Sequence, residues 1–277
     1  MLDGGLSLLA QAGNEPNPHS IRTILPQDIM FKKSLWFRMD LRTKNNVGFF
    51  AEGQEFTKLL VDAVKEGQIV PYADDDMQAR LSLTEFNKRL AIPQATREET
   101  DLMGEFDTGD WGDAAEEADL DKLKALDGQE QYFPNQLYVV ELKMDRIFDR
   151  RKSQMVNDLV AVTIILPAEV NPIGVDKVVG TFSYRELYEK VFKQKDEETG
   201  ALVDRPEAIW YNSQNPAFSH NLADAFALNL WSGTLTKYEN PKNNMIVDMY
   251  GNGKKGLIMS QEAVYKLLDY EATLWSY

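Results

Sequence analysis

Leu137-Tyr-Val-Val-Glu-Leu-Lys-Met-Asp-Arg-Ile-Phe148 and, after a polar link, Asp158-Leu-Val-Ala-Val-Thr-Ile-Ile-Leu166 decide how this chain folds. The first run alternates loosely between apolar and charged side chains, the period of a strand with one face on a core. The second is nearly all apolar and branched, as expected of a strand covered on both faces. Asp149-Arg150-Arg151 lies in the link, and together the two runs read as an antiparallel hairpin.

Working outward, the segments around this hairpin alternate between helical and extended patterns. Phe56, Leu59, Leu60, Ala63 and Val64 form one apolar helical face over about Glu55 to Glu66, and Gly67 supplies the stop. Ser82 with Glu85, and Ser183 with Glu186, have the spacing of capping boxes. The second of these opens a helix to about Phe192. Asn221 to Leu230 is also helical. Upstream, Asp28 could cap a helix through Arg42. Leu35 to Leu41 could equally be a strand, because Trp36, Arg38 and Asp40 alternate with Phe37, Met39 and Leu41. Lys193 to Asp204 reads as a polar loop. Near the end, Met245 to Tyr250 and Leu257 to Met259 read as short strands about a glycine-rich turn, with Ser260 capping a last helix. The fold class is therefore α+β: mostly antiparallel short strands packed with several helices, in one domain over residues 19–277.

Two segments stand apart. Residues 97–130 hold thirteen Asp or Glu against three Lys or Arg, a net of −10 out of −14 for the chain. Dense like charge with few branched apolar residues cannot offset its ordering entropy, so about 94–131 reads as a mobile acidic insertion. Residues 1–18 read as a flexible arm or the remnant of an export signal. Ala10-Gln11-Ala12 follows Leu6-Ser7-Leu8-Leu9, but Asp3 interrupts and no Lys or Arg leads.

Composition excludes several functions. The net charge of −14 opposes binding to phosphate backbones and anionic lipid surfaces. No apolar run approaches the ~20 residues of a membrane-spanning helix. There is no cysteine, hence no disulfide, thiolate metal site or thiol nucleophile.

The remaining motifs carry little chemistry. Gly251-Asn252-Gly253-Lys254-Lys255-Gly256 has the glycine spacing of a dinucleotide loop, but too few residues follow to complete the βαβ unit, and a hairpin turn is favoured. Asp107, Asp110 and Asp113 lack the alternate spacing of a calcium loop. His19 and His220 have no neighbouring ligands in sequence, and Ser219-His220 cannot be a dyad because adjacent helical side chains diverge. No catalytic, cofactor or metal residues are assigned. Paired acids of a hydrolase, or an acidic module for basic peptides, remain as alternatives. Arg38, Asp40, Arg42 and Arg150 set guanidinium forks and a carboxylate beside apolar strands, a pattern suited to protein interfaces. With Trp36, Trp275 and Tyr277 they are the interface candidates, and exposed apolar side chains are expected first around Trp36–Arg42 and the C-terminal aromatics.

These residues also carry a resemblance. Trp36-Phe37-Arg38-Met39-Asp40-Leu41-Arg42-Thr43-Lys44-Asn45 is similar to the W-R-x-I-D-L-R-E-K-x-N segment of the GldN/PorN family, shifted by one residue at its start. Phe49-Phe50 and the helix ending at Gly67 follow in the same order. Phe148-Asp149-Arg150-Arg151-Lys152-Ser153 resembles the family's F-D-x-x-x-S, and Glu271, Leu274, Trp275 and Tyr277 match its E-x-x-L-W-x-Y ending. Phe50-Ala51 replaces the usual Tyr-Pro, the acidic insertion is additional, and the expected full signal peptide is not spelled by the first residues. The resemblance implies a non-catalytic ring subunit of the type IX secretion and gliding machinery, in the periplasm. The implied partners are a GldK/PorK-like lipoprotein at the outer membrane, a GldM/PorM-like motor protein and further copies of itself. It implies no cofactor, no nucleic acid and no membrane insertion of the chain itself.

Overall fold

The computed structural model describes residues 16–93, 131–196, 200–251 and 253–274. The acidic insertion, Asp107 to Asp113 within it, and Trp275 and Tyr277 lie outside these.

The hairpin forms as read. Strand β2 (Val139–Asp149) pairs antiparallel with β3 (Gln154–Leu166), with Glu141 opposite Thr163 and Asp145 opposite Asp158. Upstream, the strand alternative prevails over the helix. Strand β1 (Ile29–Asp40) lies against β2, while Asp28 sits in a single tight turn and meets Arg151 at 3.7 Å. Strand β4 (Lys177–Ser183) extends the other side of β3. Helix α1 (Phe56–Lys65) ends at Gly67, whose φ of +73° is the left-handed value glycine adopts freely. Helix α2 (Leu83–Leu90) opens with the expected capping box, Ser82 and Glu85 each accepting the other's backbone N–H at 3.3 Å.

The second expected box does not form. A one-turn helix α3 (Tyr184–Leu187) continues into a π-helical turn, Tyr188–Phe192. The Ser183 hydroxyl instead shares a hydrogen bond with His19 Nδ1 at 3.1 Å, and Glu186 takes both arms of Arg80. The polar loop at Lys193–Asp204 is instead a small hairpin, β5 (Lys193–Lys195) with β6 (Leu202–Asp204), closed by a Lys193–Asp204 ion pair at 2.9 Å. A further pair, β7 (Ile209–Trp210) and β8 (His220–Asn221), leads into helix α4 (Leu222–Ala227). Asn221 caps α4 through the Ala223 N–H, and the left-handed Asn229 lies just past its end.

Strand β9 (Thr234–Tyr238), which the sequence reading did not isolate, pairs with β1. The main sheet is thus five antiparallel strands in the order β4-β3-β2-β1-β9. The two short strands expected beyond it are helical. Helix α5 (Ile246–Tyr250) runs into Gly251, and helix α6 (Lys254–Leu274) contains Leu257 to Met259 in its first turns. Short apolar runs do not distinguish helix from strand by period. The glycines join two helices, so no strand precedes them as a dinucleotide site requires. Ser260 is no cap. It sits mid-helix, its hydroxyl donating to the Leu235 carbonyl at 2.8 Å and tying α6 to β9. Among the described residues, no helix is long and apolar enough to cross a membrane.

One sheet face is apolar. Met39, Val140, Leu142, Val162, Ile164 and Phe182 pack there under α1, α2 and the Tyr184–Phe192 helix. Phe226 of α4 is the hub of this layer, with ring centroids 5.1 Å from Phe49, 5.4 Å from Phe56 and 6.1 Å from Phe192. A second cluster, Leu35, Met144, Leu235, Ile246 and Leu267, seats α5 and α6 over the β9 side. Removing a buried aromatic from such a layer loses its transfer energy and leaves a cavity. Phe226→Ala is therefore expected to lower unfolding free energy by about 3–5 kcal/mol in urea titration. Tyr265→Ala, on the exposed side of α6, is expected to stay within about 0.5 kcal/mol of wild type.

Candidate interaction surface

The opposite sheet face is charged. Alternation on β1 sends Lys32, Ser34, Trp36, Arg38 and Asp40 to this side, facing Glu141, Lys143 and Asp145 of β2. Trp36 is only 7% exposed. Its indole N–H donates to Asp75 at 2.8 Å, and the ammonium groups of Lys237 and Lys143 stand 4.2 and 5.2 Å from the ring. The 74–77 turn covers it, so Trp36 supports this surface from beneath. Exposed apolar side chains were expected first at Trp36–Arg42. They are absent there because β1 is an interior strand with Met39 in the core, and because Leu41 just beyond it is buried too.

Arg38, Asp40 and Arg42 do come together, lining a cleft of about 540 Å³ at the end of the sheet with Tyr138, Glu169 and Asp176. Arg42 forks onto Asp40, Nε to Oδ1 at 3.2 Å and the terminal nitrogen to Oδ2 at 2.9 Å. Its guanidinium carbon lies 3.4 Å from the Tyr138 ring centroid, and the Tyr138 hydroxyl donates to Glu169 at 2.8 Å. Arg38 bonds Asp176, which also accepts the Ala168 N–H at 2.8 Å. Partial burial pushes Asp40 up, but the Arg42 hydrogen bonds outweigh it and hold the carboxyl below its ordinary range. The Arg38 hydrogen bond depresses Asp176 in the same way, against its burial. Gly233 borders the cleft where a Cβ would come within 2.9 Å of the Arg38 carbonyl oxygen, so only glycine lets the lead into β9 approach β1 this closely. The result is an alternating array of guanidinium and carboxylate, equipped to exchange partners with an incoming ion pair. Each surface pair contributes at most about 1 kcal/mol on its own, which suits recognition better than stability.

Arg150 stands exposed at the β2–β3 turn, far from this cleft along the hairpin, its backbone N–H donating to the Asp28 carbonyl. His19 and His220 are separate: His19 packs edge-on to Tyr72, and His220 lies 6.1 Å from Trp210. Among the described residues, no group of three His, Asp or Glu could hold a metal ion.

A facing carboxylate pair does exist, and sequence reasoning could not single it out. Asp145 and Asp158 lie directly opposite across β2–β3, and both are buried. Asp145 is bonded by Ser34 at 2.6 Å and Lys32 at 2.7 Å, while Asp158 takes the Ser20 hydroxyl at 2.5 Å with Arg22 at 3.9 Å. These oxygens tie down residues 20–34, and Asp158 also lines a cleft of about 260 Å³ with Arg22 and Tyr184. Burial raises Asp158 to about 6, with Asp145 adding to the rise and Ser20, Arg22 and Lys32 opposing it.

The folded chain therefore keeps a proton on Asp158 that the unfolded chain, with an ordinary value of 3.8, has already lost between about pH 4 and 6. Stability from this group falls as pH rises through that window, by on the order of 3 kcal/mol, and is level above it. Asp158→Asn keeps the Ser20 contact and carries no charge. The difference in unfolding free energy between variant and wild type should grow from pH 4 to 6, in the variant's favour, and then stay constant.

The model for the family Gliding motility associated protein GldN matches residues 24–276, nearly the whole chain. No curated protein matches it. That match spans the described sheet, the Arg38–Arg42 cleft and the terminal helices, and on it the chain belongs to the GldN family.

Proposed function

We propose that this chain is a non-catalytic structural subunit of the periplasmic ring of the type IX secretion and gliding machinery. In this reading it joins an outer-membrane lipoprotein of the GldK/PorK kind to a motor protein of the GldM/PorM kind, and repeats beside copies of itself. Family membership supports gliding motility as the context. The observation that carries the adaptor role is helix α6. Among its 21 residues only Gly256, Ser260 and Leu267 are buried, while Leu257, Ile258, Tyr265 and Leu268 recur at helical spacing and stand exposed, Ile258 at 59% and Tyr265 at 66%. Contiguous exposed apolar surface of this kind marks a place where another protein packs. Lasting interfaces bury roughly 2,000 Å² or more, so this helix face would be one part of such a contact.

Co-purification from a periplasmic extract tests the reading. The wild-type chain should bring down both the lipoprotein and the motor protein. Ile258→Glu with Leu268→Glu should keep its melting temperature within a few degrees and lose at least one of them. A wild-type chain that elutes alone beside both proteins would sink the proposal.

A further inference from the structure

The turn between β3 and β4 presents apolar side chains where solvent-facing turns normally carry polar ones. Ile173 is 70% and Val175 56% exposed. The turn is held firmly. Asn171, itself buried, donates to the Val175 carbonyl at 2.6 Å and accepts the Ile173 N–H at 3.3 Å. Gly174, at φ +74°, donates to the Asn171 carbonyl at 2.8 Å, and Asp176 is anchored by Arg38 and by the Ala168 N–H. Two branched apolar side chains on a pre-ordered turn lose little freedom on docking.

A matching recess lies at the other end of the same molecule. A cleft of about 310 Å³ runs between β1, β9 and α6. Phe31, Met259 and Leu267 line it, and Tyr238, Tyr250 and Tyr270 wall it, with Phe31 and Tyr270 rings 4.8 Å apart. Lys33 and Lys266 sit at the cleft. Lys266 is paired with Glu262 at 2.7 Å, whereas Lys33 has no carboxylate partner among the described residues, its ammonium lying 4.9 Å from the Tyr238 ring. On the side of the turn Asp176 is committed to Arg38, and the carboxylate free to meet Lys33 is the well-exposed Glu169, with Arg42 no nearer than 3.9 Å. The two surfaces match in apolar character and are complementary in sign.

Their placement decides the occupant. The turn follows Leu166, at the Asp40 end of β1, whereas the cleft begins at Phe31. Nine residues of strand separate these ends by about 30 Å, so a fixed turn cannot reach its own cleft. We propose that copies of this chain associate head to tail, the Ile173–Val175 turn of one seating in the Phe31–Tyr238–Tyr270 cleft of the next. Such a contact uses two different patches, leaves one of each free, and so repeats into a ring or a filament. It rests on the self-association in the proposed function and names the surfaces that make it. The apolar pair is the anchor of the interface, with the exposed face of α6 available around it.

The chain contains no cysteine, which allows a clean test. Val175→Cys combined with Ala263→Cys, oxidised as the full-length chain, should give a ladder of dimers, trimers and higher species on non-reducing gels. A mixture of the two single variants should stop at the dimer, and adding Ile173→Asp to the double variant should abolish the ladder at an unchanged melting temperature. Oligomers in sedimentation of the uncrosslinked chain without a ladder after oxidation would overturn this docking and leave the adaptor role standing. A chain that sediments as a monomer at every concentration would overturn the self-association beneath it.

Discussion

Two carboxylates, Asp145 and Asp158, face each other inside the charged side of the sheet, and burying them constrains everything nearby. An unpartnered buried charge is costly, so each must be met by donors. Ser20 and Arg22 meet one, Lys32 and Ser34 the other, which fixes the path of the chain from its first described residues into β1. The same face draws down the 74–77 turn through Asp75, bonded to both Trp36 and Lys143. The apolar face needs only helices of the right pattern. The charged face needs particular polar partners, and it thereby sets the register of the loops that cover it.

The sheet and its covering helices explain why the two clefts lie at opposite ends of the sheet. The side-chain period of β1 places Arg38 and Asp40 on the charged face, and Arg42 follows just past the strand where β3 delivers Glu169 and Asp176. The other end is left to aromatic side chains of β1, β9 and α6. Polar ion pairs at one end and an aromatic recess at the other give the two ends of the sheet different chemical characters.

Much of this was legible from sequence, for identifiable reasons. The β2–β3 hairpin was visible because its alternation and branched residues agree with its burial. Helices α1 and α2 were visible because an apolar face and a stop or a cap coincide. Arg38 and Asp40 share a face under the strand alternative, and Arg42 was singled out for its charge beside Asp40, but the choice of strand over helix was not written locally. Other features depended on distant residues. Ser183 and Glu186 looked like a capping box until His19 and Arg80 engaged them. Leu257 to Met259 looked like a strand because its exposed apolar residues imitate a buried run. The partners Glu169 and Asp176, and the facing Asp145 and Asp158, carry no local signal, since a register between strands is not written in either one.

The pairing of β1 with β9 brings Leu35 opposite Tyr238. During synthesis, then, a strand made near the start must wait for a neighbour made about two hundred residues later, and contacts of such long range form slowly. Until then its outer rim, with Phe31 and Phe37 beside it, is open to pairing with any extended polypeptide in the vicinity. Nascent copies of this protein keep that rim unpaired until their last quarter arrives.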